Sequence, residues 1–324
     1  MIVRWGLESL PVACADVAVA SPLLVASPRW DSLELPIHVA ARWREVPTDR
    51  ILEPASVAAE AGADGVLAVG GGSAIDLGKA ISTVGLPLVS MPTTYAGAEW
   101  TTYFGIRDPD RRMRGGGADA DPTAIVYEPK LTLGLSAETT VGTAMNALAH
   151  CAEALYAKGH NHEADAHALA GARLVSEWLP RVVAAPEDLE ARTELLRGAC
   201  HAGAALAGSM LALAHAMAQA VGGRYGLPHG TLNGISLPAA LRFNAAYAPQ
   251  ALRRFGEAIG APDDPAGRVE QLAALAGPRR LGELGVPQED LPALAADVAQ
   301  RGGNRANPKH ATTEEIEGLL REVY

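Results

Sequence analysis

Residues 65–79 constrain the fold more than any other stretch of this chain. Gly65-Val66-Leu67-Ala68-Val69 is an apolar run of strand length, and it stops in Gly70-Gly71-Gly72 before Ser73-Ala74-Ile75-Asp76-Leu77-Gly78-Lys79. Ala74, Leu77, Gly78 and Ile81 then recur at helical spacing. A strand that ends in glycines and opens into a helix suits an anion. Backbone N–H groups approach it closely, and the first helical turn leaves its donors unpaired and positive. The spacing is neither G-x-G-x-x-G nor G-x-x-x-x-G-K-[ST], so neither general nucleotide fingerprint applies. A glycine-rich strand-to-helix turn that binds nothing stays open as the alternative.

Strand and helix signals alternate on both sides of this bend. Ile2–Trp5 and Pro22–Ala26 read as strands, 54–61 as a helix ended by Gly62-Ala63-Asp64, 74–83 as a helix, and 86–90 and 124–127 as further strands. Such alternation predicts a Rossmann-like, mostly parallel sheet, with ligands at the carboxyl ends of its strands. Both Gly70–Ser73 and Pro92–Thr94 fall there. Residues 107–122 mix charge, proline and glycine and read as a mobile loop. From Leu133 the character changes to alanine-rich helical stretches, at 139–157, 163–184 and 188–221 and then shorter ones. The expected organisation is an α/β domain over 1–132 and an all-helical domain over 133–324.

Composition narrows the function classes. The chain has 324 residues, 48% hydrophobic and 20% charged, with a net charge of −10. That balance suits a soluble enzyme-sized protein and argues against nucleic acid or an anionic membrane as partner. Cys14, Cys151 and Cys200 are widely spaced, which suits a reducing compartment. No basic-plus-apolar leader or membrane-length run is visible, so a cytoplasmic location is expected.

Asn146 and His150 share one helix face, and His215 and Gln219 repeat that spacing. His229 follows in Leu227-Pro228-His229-Gly230, read as a loop after Gly222-Gly223. Three histidines on apolar helices suggest a polar cleft. A divalent metal (Fe or Zn), if held, would use His150, His215 and His229 with Asn146. Asn146 is neutral where a carboxylate would add charge, so a metal-free site is expected. His38, His160, His162, His167, His201 and His310 read as ordinary surface or hydrogen-bonded residues.

Taken in order, these stretches resemble the iron-type alcohol dehydrogenase superfamily, which includes maleylacetate reductases and is related in fold to dehydroquinate synthase. The matching residues are Gly70–Lys79, Met91-Pro92-Thr93-Thr94-Tyr95-Ala96-Gly97-Ala98-Glu99, Ile125–Thr132, Met145–His150 and Pro228-His229-Gly230, from about residue 40 onward. Pro92–Gly97 and Asn146 look like the maleylacetate reductase branch, which works without a metal. Pro228–Thr231 looks like the alcohol dehydrogenase branch. Gln219 and Ala98 depart from both, standing where a histidine and a serine are common.

The resemblance implies NAD(H) or NADP(H) with its diphosphate on Gly70, Gly71, Gly72 and Ser73, aided by Asp76, Thr93 and Thr94. Ser27 stands where an acid would select against a 2′-phosphate, Arg29 is near it, and Arg112 stands for a family lysine. Catalytic candidates are His150, His215, His229 and Tyr95. Asn146, Gln219 and Arg224 are expected near the substrate, Arg224 as a carboxylate partner. The implied activity is hydride transfer to the activated double bond of a keto-dicarboxylate. The alternatives are a dehydrogenase of another alcohol or carbonyl compound, as in specialised metabolism, and a lapsed dinucleotide binder. A small-molecule substrate and a homodimer are also implied.

Overall fold

A computed structural model describes residues 1–108, 110, 113–118, 120 and 122–324. The chain divides into two compact units, Met1–Gly134 and Leu135–Tyr324. In chain order the first unit contains β1 (Ile2–Trp5), α1 (Leu10–Asp16), β2 (Leu23–Ala26), β3 (Ala41–Trp43), α2 (Leu52–Glu60) and β4 (Val66–Gly70). It continues with α3 (Gly72–Ser82), β5 (Leu88–Pro92), β6 (Phe104–Arg107), β7 (Met113–Gly117) and β8 (Ala124–Tyr127). Six strands form a parallel sheet in the order β1-β8-β5-β4-β2-β3.

The sheet is covered on both faces, which is why its central strands are apolar at every position but Ser90. Leu24, Ala26, Leu67, Val69, Val89 and Met91 point to the face packed by Leu10, Ala13 and Cys14 of α1. Leu23, Val25, Val66, Ala68 and Leu88 point to the other, against Ala58 of α2 and Ile75, Leu77 and Ile81 of α3. Helix α3 lies close to the sheet because Gly78 has no side chain. A Cβ there would stand 2.9 Å from Ala68 Cβ and 3.0 Å from Leu88 Cδ1.

Sheet order locates the binding crevice. From β2 the chain moves outward to β3, and from β4 it moves the opposite way to β5. The carboxyl ends of β2 and β4 therefore flank the switch point, where open α/β sheets bind ligands. Ala26 pairs with Val69, so Ser27 leaves the sheet beside Gly70.

Residues 107–122 are not simply a loop. Among the described residues, β6 and β7 form an antiparallel hairpin with an irregularity at Ile106/Arg107. Asp76 and Lys79 tie it to α3. Lys79 is fully buried, and its Nζ donates to Asp76 Oδ1 (3.2 Å), Thr101 Oγ1 (2.8 Å) and the Tyr103 carbonyl (2.9 Å). The amide of Gly105 donates to Asp76 Oδ2 at 3.0 Å.

The second unit contains α4 (Ala137–Tyr156), α5 (His162–Ala184), α6 (Leu189–Ala207), α7 (Leu213–Tyr225) and α8 (His229–Asn244). It ends with α9 (Pro249–Ala258), α10 (Pro265–Ala273), α11 (Leu291–Ala299), α12 (Gly302–Ala306) and α13 (Thr313–Glu322). Helix α4 is buried along most of its length, as an all-round apolar helix must be. Side-chain caps from Ser136, Asn161 and Asp188 start α4, α5 and α6.

Two expectations change here. The stretch 188–221 is two helices, broken between Ala207 and Leu213. His229 is the first residue of α8 and not part of a loop, while Gly222 and Gly223 lie inside α7, which ends at Gly226 in the left-handed region (φ 69°). No helix among the described residues is long and apolar enough to cross a membrane.

Candidate active site

In the first unit, Gly71 is the N-cap of α3 and no side chain caps that end. The amide of Thr93 donates to the Gly70 carbonyl at 3.0 Å, which lays the Pro92–Thr94 turn against the glycine bend. A Cβ on Gly71 would meet Thr94 Cγ2 at 3.1 Å. The bend is thus bare backbone with a positive helix end, a cradle for a diphosphate. Gly70, Gly71, Gly72, Ser73, Thr93 and Thr94 all border it.

The other first-unit candidates fare differently. Asp76 is tied to Lys79 and to the Gly105 amide and acts as a strut for the hairpin. Burial raises the Asp76 carboxyl and lowers the Lys79 amine, each opposed by its partner. Tyr95, the fourth catalytic candidate, is fully buried. Arg29 donates to the Gly134 carbonyl at 2.6 Å. Arg112 lies outside the described residues.

The second unit brings the three histidines together. Asn146 and His150 come from α4, His215 from α7, and His229 and Asn233 from α8. The His150 and His215 rings stack with centroids 4.8 Å apart and planes 12° from parallel, and His229 stands 5.5 Å from His215. His150, His215, Asn146 and Asn233 are buried, whereas His229 and Gln219 are half-buried.

The approach of α8 to α4 depends on Gly230. A Cβ at that position would lie 2.3 Å from the Gly142 carbonyl oxygen. The glycine after His229 therefore lets α8 begin against α4, one turn before Asn146.

Hydrogen bonds set the protonation pattern. Asn233 Nδ2 donates to Asn146 Oδ1 at 2.5 Å and lies 3.0 Å from His229 Nε2. Asn146 Nδ2 lies 3.4 Å from His150 Nε2. With the amides in this orientation, nitrogen donors face the Nε2 atoms of His229 and His150, an arrangement that goes with ring protons on Nδ1 in both. His215 Nδ1 lies 2.7 Å from Glu153 Oε2. The buried atoms His150 Nδ1, His215 Nε2 and Asn233 Oδ1 have no hydrogen-bond partner. Buried polar groups are seldom left so, and these three mark where a polar ligand belongs. Burial, with the neighbouring His215 and His229, holds His150 well below the ordinary histidine range.

A divalent metal does not fit this set. The amide oxygen of Asn146 is taken by Asn233, two imidazole lone pairs face amide donors, and no carboxylate joins the trio as a ligand. No group of three metal-ligating His, Cys, Asp or Glu side chains occurs among the described residues. Arg224 lies nine residues from His215, on the opposite side of α7, and pairs with Asp290 at 3.3 Å.

Glu153 and Asn233 had not been singled out from sequence. Both signals were present: Asn146, His150 and Glu153 run i, i+4, i+7 along α4, and His229 and Asn233 are four apart on α8.

Residues 15–129 match the family model for iron-containing alcohol dehydrogenase, and residues 140–324 match the C-terminal model of the same family. The chain belongs to the iron-containing alcohol dehydrogenase family. The match begins at residue 15, well before the start near residue 40 expected from the motifs. As a member of this family, the chain is an NAD(P)-dependent oxidoreductase.

It is 39% identical over 280 residues to a maleylacetate reductase of Burkholderia cepacia, an alignment covering 86% of this chain and 79% of that protein. The crystal structure of a maleylacetate reductase from Rhizobium superimposes with a TM-score of 0.90 at 28% identity, covering 100% and 95% of the two chains. An iron-containing alcohol dehydrogenase from Corynebacterium glutamicum gives a TM-score of 0.90 at 30% identity, covering 100% and 94%. Both family branches therefore share this fold.

Proposed function

We propose that this family member is a metal-independent reductase of the activated double bond of a keto-dicarboxylate of the maleylacetate type. The observation that carries the reading is the wiring of the histidine cluster. Asn146 replaces an anionic ligand and, with Asn233, consumes the lone pairs a metal would need. What remains is one buried N–H donor, His150 Nδ1, and two bare acceptors, His215 Nε2 and Asn233 Oδ1, of which the imidazole nitrogen is the one that can carry a proton.

When bound, a reduced nicotinamide supplies the hydride. Gly71, Gly72 and Ser73 hold the diphosphate through backbone amides, with Thr93 and Thr94 alongside. Ser27 carries no negative charge beside Gly70, so both NADH and NADPH are accepted. Reduction of a conjugated keto acid places negative charge on the carbonyl oxygen as one alkene carbon gains hydride. His150 Nδ1–H donates to that oxygen, which is where a preorganised donor contributes most. The carbon next to the carbonyl then takes a proton, and His215 Nε2 is the atom of the cluster able to hold and release one. The hydride that a bound reduced nicotinamide would supply and the proton released from His215 Nε2 together saturate the double bond. His229 and Gln219, both half-buried, orient the substrate.

The deciding experiment is oxidation of NADH and NADPH by the purified protein with maleylacetate, beside a panel of aldehydes and alcohols. Each is run with a chelator and with added Fe or Zn. Turnover of maleylacetate that survives chelation supports the reading. Strict metal dependence, or turnover of simple carbonyl compounds alone, overturns it. Dinucleotide binding without any turnover would mark a lapsed member. The assembly that goes with this reading is a homodimer, checked by sedimentation.

A further inference from the structure

The chemistry outlined above leaves one buried group without a task. Glu153 is fully buried, two turns along α4 from Asn146. Its Oε2 accepts the Ala212 amide at 2.6 Å and faces His215 Nδ1 at 2.7 Å, while Oε1 accepts the His215 amide at 3.2 Å. Ala212 is the N-cap of α7 and that helix has no side-chain cap of its own. A carboxylate from a neighbouring helix thus fills the place of the cap, at the positive end of α7.

We propose that Glu153 is a positioning residue for the reduction. It fixes one proton of the His215 ring on Nδ1 and sets the plane of that ring, so that Nε2 faces the substrate bare, takes up a proton from solvent and passes it to the carbon. The argument is one of donors and acceptors. Both oxygens of Glu153 accept backbone amides, which marks the group as an acceptor, and the ring nitrogen 2.7 Å from it then carries the hydrogen. The opposite nitrogen is then bare, and it is the buried, unpartnered Nε2. The other two rings have their Nε2 atoms turned to amide donors, which leaves His215 as the member of the trio with an acceptor to offer. Carboxylate-oriented imidazoles work in this way in other enzymes: the orienting group sets tautomer and direction and does not itself react. The backbone amides of Ala212 and His215 hold the carboxylate in turn, so ring and orienter are anchored to the same helix end.

This inference rests on the reading that the cluster handles the substrate's proton, and its test separates the two. Histidine-selective isotope labelling of the full-length protein, read by long-range nitrogen–proton correlation spectra, reports the tautomer of each ring. The His215→Asn variant assigns the signal. Wild-type His215 is expected protonated at Nδ1 and bare at Nε2. Glu153→Leu removes the acceptor and is expected to give mixed tautomers, with kcat lower by about 10- to 100-fold and KM within about threefold. Glu153→Gln turns an NH2 toward the donors that hold the carboxylate, and is expected to shift the ring toward the Nε2–H tautomer with kcat lower by at least about tenfold.

A wild-type His215 protonated at Nε2 overturns the proposal. So does a folded Glu153→Leu or Glu153→Gln with unchanged kcat and an unchanged Nδ1–H tautomer. Should Glu153→Leu fail to fold, the wild-type tautomer and the Gln variant still decide. The wild-type spectrum tests Glu153 whichever substrate is turned over, whereas absence of maleylacetate turnover counts only against the assigned reaction.

Discussion

Replacing Gly230 by alanine tests how the cluster is built. The added Cβ would sit 2.3 Å from the Gly142 carbonyl oxygen and 2.6 Å from its carbonyl carbon. Both are backbone atoms, so no side-chain rotation relieves the contact, and α8 must move away from α4 by roughly an ångström to restore ordinary van der Waals separation. Overpacking of this kind costs about 1–3 kcal/mol. Separating the helices also stretches the Asn146–Asn233 hydrogen bond, which adds about 1 kcal/mol. A total near 3 kcal/mol lowers Tm by about 6–12 °C for a unit of this size. Because α4 carries His150 and α8 carries His229, the same shift misplaces the reacting groups, and about an ångström of misplacement reduces kcat by roughly 100-fold. Thermal melts and steady-state kinetics read both effects. The control is Gly223→Ala on α7, where a Cβ meets nothing within 4 Å, and which should stabilise by about 0.5–1 kcal/mol through helix propensity. A Gly230→Ala protein with Tm within about 2 °C and kcat within about twofold of wild type would refute the account.

Further expectations follow from other sites. Gly71→Val drives a branched side chain into Thr94 and should weaken dinucleotide binding by more than about tenfold, measured by quenching of tryptophan fluorescence, with the melt little changed. Lys79→Met leaves Asp76 without its cation and should cost about 3 kcal/mol in urea denaturation, whereas the double variant with Asp76→Asn should recover part of that loss. His150 is held neutral in the folded protein, so below the ordinary histidine pKa of about 6.5 the unfolded chain binds a proton that the folded chain does not. Stability should therefore fall by about 1.4 kcal/mol per pH unit below that point, until the depressed folded pKa is reached, and His150→Gln should remove the slope.

Much of the first unit could be read directly from the chain. The run 66–70 is apolar throughout because both sheet faces are covered, and the three glycines mark its end without ambiguity. The hairpin β6–β7 escaped because Gly115, Gly116 and Gly117 carry no side chains with which to show an alternation. Three-residue β3 is too short to show a period at all. The helix break near Gly208 was hidden by alanine and leucine on both sides, which keep helical spacing going across it. His229 was given to a loop because proline and glycine flank it, yet here the proline precedes a helix and the glycine serves a helix crossing.

The site was half legible. Histidines and asparagines stand out on alanine-rich helices, so their gathering could be anticipated. Glu153 did not stand out, since a glutamate on a helix ordinarily faces water, and only its alignment with Asn146 and His150 sets it apart. Arg224 illustrates the reverse: nine residues on from His215, it leaves α7 on the other side and meets the carboxylate of Asp290.

The double duty of Glu153 has an evolutionary consequence. One side chain answers to two kinds of selection, for folding and for chemistry, and neither can be adjusted without disturbing the other. Homologues that change reaction type should therefore alter the partners of this carboxylate sooner than the carboxylate itself.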